Sequence, residues 1–402
     1  MANADAAHFP SVVTTRAGAY PPVSYLLPGL ALRAADDPFT ADRVARLVAA
    51  ASCYAFLLLG LALIASPGAM ALSLLGPVAA VTPGALFVMA SLNSSGPETA
   101  AGFAFFAALL RIARGSPVAR WVWMSAAVAG LVLATVRATG ALWVVLDVAV
   151  FLFLVGTREA RALGRRSTRV AAATIALVIV SVVGNRVWEQ VQGTEVTQQA
   201  GLGHASSGAF VDWLRPAVVQ IPRILDEEVG VFGWVDTLMP GFAYILWQGM
   251  VAALLGVAFL VACRRERWTL VAATLLSLAV AVFLSAVLQT AGSGDVQGRH
   301  VLPFAVVVPL LAGETVLRNR HKLALVDGAS LVTLFCVLTA FVQLVGWHAS
   351  AQRQSVGSRG PLWFLPHAQW TPPGGWPVWA ATAVIGSLLL ALAGTRRTGT
   401  AH

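Results

Sequence analysis

Long apolar runs separated by short polar links set the rhythm of this chain. A membrane span needs about twenty apolar residues. About eleven runs approach that length, near 44–66, 69–91, 97–114, 119–137, 140–157, 169–187, 240–263, 268–289, 300–317, 323–346 and 376–394. They predict an all-α fold, a polytopic membrane helical bundle of about eleven transmembrane helices. Only Arg137-Ala138-Thr139-Gly140 separates the fourth run from the fifth. Residues 1–40 hold no span. There Tyr20-Pro21-Pro22 and Tyr25 precede a short apolar piece, Leu26 to Leu32, closed by Asp36-Asp37-Pro38. The pattern predicts a loop and then a helix lying in the interface, its tyrosines at headgroup depth.

The basic links orient the bundle. Arg111, Arg114 and Arg120 share one link, and Arg158, Arg161, Arg165, Arg166 and Arg169 another. Arg264, Arg265 and Arg267 form a third, Arg318, Arg320 and Lys322 a fourth, and Arg396 and Arg397 close the chain. With alternating spans these links share one side, which the positive-inside rule makes cytoplasmic. Arg43 and Arg46 fall on the other side, against five agreeing links. The expectation is a cytoplasmic C-terminal tail, 395–402, and an outer N-terminus. No cleavable signal precedes the first run, so a further span is expected upstream of Met1. Residues 1–40 then read as the remnant of a first outer loop and 41–394 as the bundle.

The long segments fall on the outer side: 185–240, a short stretch at 290–299, and 347–375. Phe210, Trp213, Leu214, Val218, Ile221 and Leu225 recur at helical steps, interrupted by Pro216 and Pro222. That spacing predicts an amphipathic helix on the membrane surface. The third segment holds Trp363, Trp370 and Trp376, as expected of a loop folded back on the interface.

Composition supports the membrane reading. The chain has 402 residues, 58% hydrophobic and 11% charged, with a mean hydropathy of +0.76, against about 25% charged in soluble domains. Its net charge of +9 sits in short links rather than in a groove, which argues against a nucleic-acid partner. Lys322 is the single lysine, a usage typical of GC-rich bacterial genomes. Cys53, Cys263 and Cys336 lie in or at the ends of apolar runs, where a buried structural role is expected.

The chain has no Walker A loop, no GxGxxG after a strand, no HExxH and no GxSxG, so neither a nucleotide-driven pump nor a GxSxG hydrolase is indicated. Chemistry-bearing residues gather at the outer ends of the runs instead. Glu98, in Asn93-Ser94-Ser95-Gly96-Pro97-Glu98, either complements a helix dipole or lines an outer cavity. In Gly230 to Asp236, Trp234 can stack on a sugar or sit in the aromatic belt. Asp236 can accept from hydroxyls or cap the next helix. In Gly294 to Pro303, Asp295 and Arg299 stand four apart and could pair. Otherwise Arg299 with His300 makes a phosphate clamp, and Gln297 adds a donor and an acceptor. Within the runs, Arg137 and Asp147 could pair, while Glu314 and Asp327 could reach Arg318 or Lys322. His8, His204, His348 and His367 show no metal spacing.

Gly18-Ala19-Tyr20-Pro21-Pro22-Val23-Ser24-Tyr25, Asn93 to Glu98, Phe232-Gly233-Trp234-Val235-Asp236 with Pro240, and Gln297 to Pro303 resemble a bacterial membrane family, domain of unknown function 2142. That family typically has Tyr where His300 stands and Asn-Pro where Asn93-Ser94 stand. It is similar to the GT-C glycosyltransferases. The resemblance implies sugar transfer, with inversion, from a polyprenyl-phosphate donor to an envelope glycan on the outer face of the plasma membrane. Arg299, His300 and Gln297 would bind donor phosphate. Tyr20, Tyr25, Glu98, Trp234, Asp236 and Asp295 would line the acceptor cavity. Such enzymes place an acid early in the first outer loop, as base or as ligand to a divalent cation (Mg or Mn). Here only Asp5 and His8 precede Tyr20 at that place, and neither is assigned the role. Envelope-biosynthesis proteins are expected partners. Two other readings stay open, a transporter or flippase of a lipid-linked glycan and a non-catalytic assembly subunit.

Overall fold

The computed structural model describes residues 20–34, 36–115, 117–166, 168–199, 209–291, 295–323 and 328–395. The expectations for Asp5, His8, His204, Gly294 and Asp327 lie outside them. A short helix α1 (Leu26–Leu32) packs on α2 (Pro38–Ile64) and leaves Leu26, Leu27 and Leu30 exposed. Asp37 starts α2 by accepting from the Thr40 N–H at 2.8 Å, with Pro38 in the first turn. Next come α3 (Leu75–Ala80) and α4 (Pro83–Met89), bent by 69° from each other, then α5 (Ser95–Ala113), α6 (Arg120–Val136) and α7 (Gly140–Val155). A basic helix α8 (Thr157–Arg166) turns 100° away before α9 (Thr168–Gln199).

The amphipathic stretch is two helices, α10 (Phe210–Val219) and α11 (Ile221–Gly230), because Pro222 begins a new helix after Gln220. A two-residue hairpin, β1 (Val231–Phe232) with β2 (Thr237–Leu238), leads into α12 (Gly241–Val261). Four long segments follow: α13 (Arg264–Thr290), α14 (Gly298–Ala305) continued by α15 (Val307–Arg318), α16 (Gly328–Val356) and α17 (Trp376–Thr395).

Among the described residues seven helices are long and apolar enough to cross a membrane, and nine if each bent pair is one span. The count of eleven runs is recovered only by adding α5 and α6, which run between the same two ends of the bundle. Two expected loops are partly helical. Helix α9 continues past Asn185 to Gln199, and α16 continues past His348 to Val356. Cys263, expected to be buried, is exposed at the start of α13, whereas Cys53 and Cys336 are buried.

The two ends differ in chemistry. At one, basic side chains cover carbonyls left open where helices finish. Arg114 Nη2 donates to Ile64 O at 2.6 Å, Arg265 Nε to Phe153 O at 2.9 Å, and Lys322 Nζ to Val261 O at 2.8 Å. Glu314 is buried between Arg114 and Arg318, accepting from both Nε groups at 2.9 Å. This is the arginine end, and every basic link named above whose residues are described meets there. The opposite, loop end holds Tyr20, Asn93, Arg137, α10, α11 and the hairpin. Helix α5, buried along nearly its whole length, joins the two.

Candidate functional site

Three chain segments converge at the loop end. Thr82, between α3 and α4, donates from Oγ1 to Glu228 O at 2.7 Å. Gly298, the first residue of α14, donates its N–H to Glu227 Oε2 at 2.7 Å. Arg223 on α11 donates to Val296 O at 3.1 Å and lies 3.7 Å from Glu227 Oε1. The bend at α4, the last turn of α11 and the first turn of α14 are thus tied into one scaffold.

That scaffold encloses a cavity of about 220 Å³, lined among others by Asn93, Glu227, Gly233, Trp234, Gln297 and Arg299. Segments from three of the sequence motifs therefore meet around one space. Two of its groups have unmet hydrogen-bonding capacity. Among the described residues, Arg299 Nε and Gln297 Oε1 are buried without a partner. A buried guanidinium N–H left unpaired is costly, and it marks where an anionic ligand would gain most. Trp234 is 90% exposed at the rim, held by a turn in which Gly233 and Val235 both adopt positive φ (66° and 65°).

Other singled-out residues stand elsewhere. His300 is not part of the lining: its Nδ1 accepts from its own helix start, Gln297 N, at 3.3 Å. Asp295 does not pair with Arg299; it lies 3.5 Å from Arg223 Nη1 and accepts from Gln289. Asp236 caps no helix. It binds Arg353 of α16 through both oxygens, at 2.9 and 2.8 Å, and these bonds hold its carboxyl at about 2. Glu98 is fully buried and is not among the residues lining this cavity. It accepts from Thr139 Oγ1 at 2.7 Å and Trp143 Nε1 at 2.8 Å, with Arg137 Nη1 at 3.4 Å.

Arg137 therefore pairs with Glu98 rather than with Asp147, whose two oxygens are buried without a partner among the described residues. The Arg137 guanidinium also sits over the Tyr20 ring, 5.6 Å from its centroid. Tyr25 bonds Ser94, and burial pushes its hydroxyl above the usual range. Tyr20, Tyr25, Glu98 and Arg137 thus form a brace beside the cavity.

Glu227 and Arg223 were not singled out from the sequence. A signal was present: Asp226-Glu227-Glu228 crowds three acids into the last turns of α11, where the helix dipole disfavours negative charge. Burial raises the Glu227 carboxyl, opposed by the Gly298 N–H and the Arg223 charge. Glu228 faces the other way, into an apolar cleft of about 300 Å³ between α11, α12, α13 and α14. Burial, and then the Glu227 charge, push its carboxyl up to about 8. Leu302 walls both the cavity and the cleft.

A divalent cation does not fit this lining. Among the described residues no three His, Cys, Asp or Glu side chains come together. Glu227, the one carboxylate among the described lining residues, already accepts from Gly298 and stands beside the Arg223 guanidinium, which repels a second cation.

Taken together, fold and site define a polytopic helical membrane protein with a polar cavity at one end of the bundle, adjoining an apolar cleft. The chain belongs to the family described as predicted membrane protein (DUF2142), which matches residues 4–308. Every residue lining the cavity falls within that match. No curated protein and no solved structure matches the chain.

Proposed function

We propose that this protein is a membrane glycosyltransferase of GT-C type that moves a sugar from a polyprenyl-phosphate donor to an envelope glycan acceptor. In this reading the loop end faces outward from a bacterial plasma membrane and the arginine end faces the cytoplasm, in keeping with the positive-inside rule. The observation that carries it is Arg299 Nε, without a partner among the described residues, in a polar cavity whose Leu302 wall is shared with an apolar cleft. A lipid phosphate has both chemistries, an anion for the guanidinium and a hydrocarbon tail for the cleft.

Arg299 and Gln297 would hold the donor phosphate. As the glycosidic bond breaks, negative charge grows on the departing phosphate, and a preplaced guanidinium stabilises it more than it stabilises the bound donor. Trp234, exposed at the rim, offers a stacking face to the acceptor sugar.

The test is transfer of labelled sugar from a panel of polyprenyl-phosphate donors by the protein in lipid nanodiscs, with Arg299→Ala beside it. Transfer by the parent and its loss in the variant support the reading. No transfer from any donor by the folded parent sinks it.

A flippase for a lipid-linked glycan is the second reading, favoured by one feature. The 69° break between α3 and α4 lies at the scaffold, and broken helices flank substrate sites in many transporters. Flux of an unaltered lipid-linked glycan across vesicles carrying the protein would select it.

A further inference from the structure

We infer that Glu227 is the base that takes the proton of the acceptor hydroxyl, an inference that rests on the transferase reading above.

Glu227 is the carboxylate among the described residues lining the cavity, and it lies close enough to Arg299 for that charge to act on it. Its two oxygens are in different states. Oε2 is fixed by the Gly298 N–H at 2.7 Å, which sets the orientation of the group. Among the described residues Oε1 has only the Arg223 Nε at 3.7 Å, beyond hydrogen-bond reach, so its lone pairs remain to accept a proton. The charged and titratable groups around it among the described residues are Arg223 and Glu228 on α11, Asp295 just before α14, Arg299 in the first turn of α14, and Tyr244 on α12.

A buried acid in the last turn of a helix opposes the dipole of that helix. Its tie to Gly298 also demands a glycine, since a Cβ there would stand 2.5 Å from Glu227 C. Local rules broken together at a cavity wall mark a site held for chemistry.

The step balances without a co-reactant. The acceptor O–H bond breaks and its proton passes to Glu227 Oε1. The acceptor oxygen forms a bond to the anomeric carbon. The bond from that carbon to the phosphate oxygen breaks, its electron pair leaving on the polyprenyl phosphate beside Arg299.

Glu227→Gln tests this, because the amide oxygen can still accept from Gly298 while the base is lost. Three readouts are taken in nanodiscs: crosslinking of a photoreactive polyprenyl-phosphate sugar, the rate of sugar transfer, and its pH profile. The expected result is crosslinking equal to the parent, transfer lowered by about 100-fold or more, and loss of the rising acidic limb of the profile. Glu227→Asp should regain part of the rate and the limb with it. Arg223→Gln keeps the carboxylate but removes a neighbouring positive charge, so its limb should move to higher pH. Transfer by Glu227→Gln at the parental rate, or an Arg223→Gln limb that does not move, overturns the role of Glu227 and leaves the transferase reading intact. A parent that crosslinks no donor and transfers no sugar overturns the transferase reading itself.

Discussion

The N–H of Gly298 meets Oε2 of Glu227 at 2.7 Å, joining the first turn of α14 to the last turn of α11. A Cβ on residue 298 would lie 2.4 Å from Glu228 N and 2.5 Å from Glu227 C. Backbone cannot swing aside as a flexible side chain can. Gly298→Ala should therefore cost about 1–3 kcal/mol by overpacking, seen as a lower unfolding midpoint of the solubilised protein. Donor crosslinking should fall with it, since Arg299 is carried by the same turn. A midpoint equal to the parent would mean that the two helices are free to separate.

Glu98 and Arg137 form a buried pair, with side chains 0% and 14% exposed. Removing one member leaves the other without its charge partner, at a cost of about 3–5 kcal/mol. Glu98→Gln and Arg137→Met should each be markedly destabilising, and the double variant less so than their sum. Thermal unfolding of all four proteins closes the cycle. Strict additivity would show that the two groups act independently.

Asp236 and Arg353 clasp the hairpin to α16. The pair is partly exposed, so its contribution to global stability is small, but it holds the turn that presents Trp234. The Asp236 carboxyl is depressed to about 2, so the clasp is complete above the usual value of 3.8 and is lost as pH falls through about 2. A fluorine label on Trp234 should report one environment down to about that pH. In Gly233→Ala a Cβ would stand 2.4 Å from Asp236 Oδ1 and 2.6 Å from Arg353 Nε, so the label should already be shifted at neutral pH. An unshifted label would show that the clasp does not position the rim.

Glu228 sets a dependence of opposite sign. Its carboxyl is raised from 4.5 to about 8, so the folded state keeps a proton that the unfolded chain has released. Stability from this group is complete below about 4.5, declines as pH rises, and levels off above about 8. Glu228→Gln should flatten that decline across pH 4.5 to 8, read as the unfolding midpoint against pH. An identical slope in parent and variant would assign the decline to other groups.

Much of the cavity was legible in the sequence, for a physical reason. Polar residues beside long apolar runs are costly unless something uses them, so Gln297, Arg299 and Trp234 stood out. What could not be read was direction. Arg299 and His300 are neighbours in sequence, yet successive positions on a helix point about 100° apart. One lines the cavity while the other bonds its own helix start. Asp236 and Glu98 were equally visible, but their partners lie 117 and 39 to 45 positions away. No local pattern encodes such distances. Glu227 is one of three consecutive acids at the end of an amphipathic helix, and nothing local distinguishes it from Asp226 or Glu228.

The amino-acid sequence by itself determined that this is a helical membrane bundle with basic links gathered at one end. Hydropathy and charge are local properties, and the bilayer imposes the helix on every apolar run of sufficient length. Only the tertiary structure decided which polar side chains share a space. The bend between α3 and α4, the break at Pro222 and the contact of Gly298 with α11 bring residues 93, 227, 234 and 299 together. That meeting depends on backbone packing at a few ångströms' tolerance, which no single stretch of the chain contains.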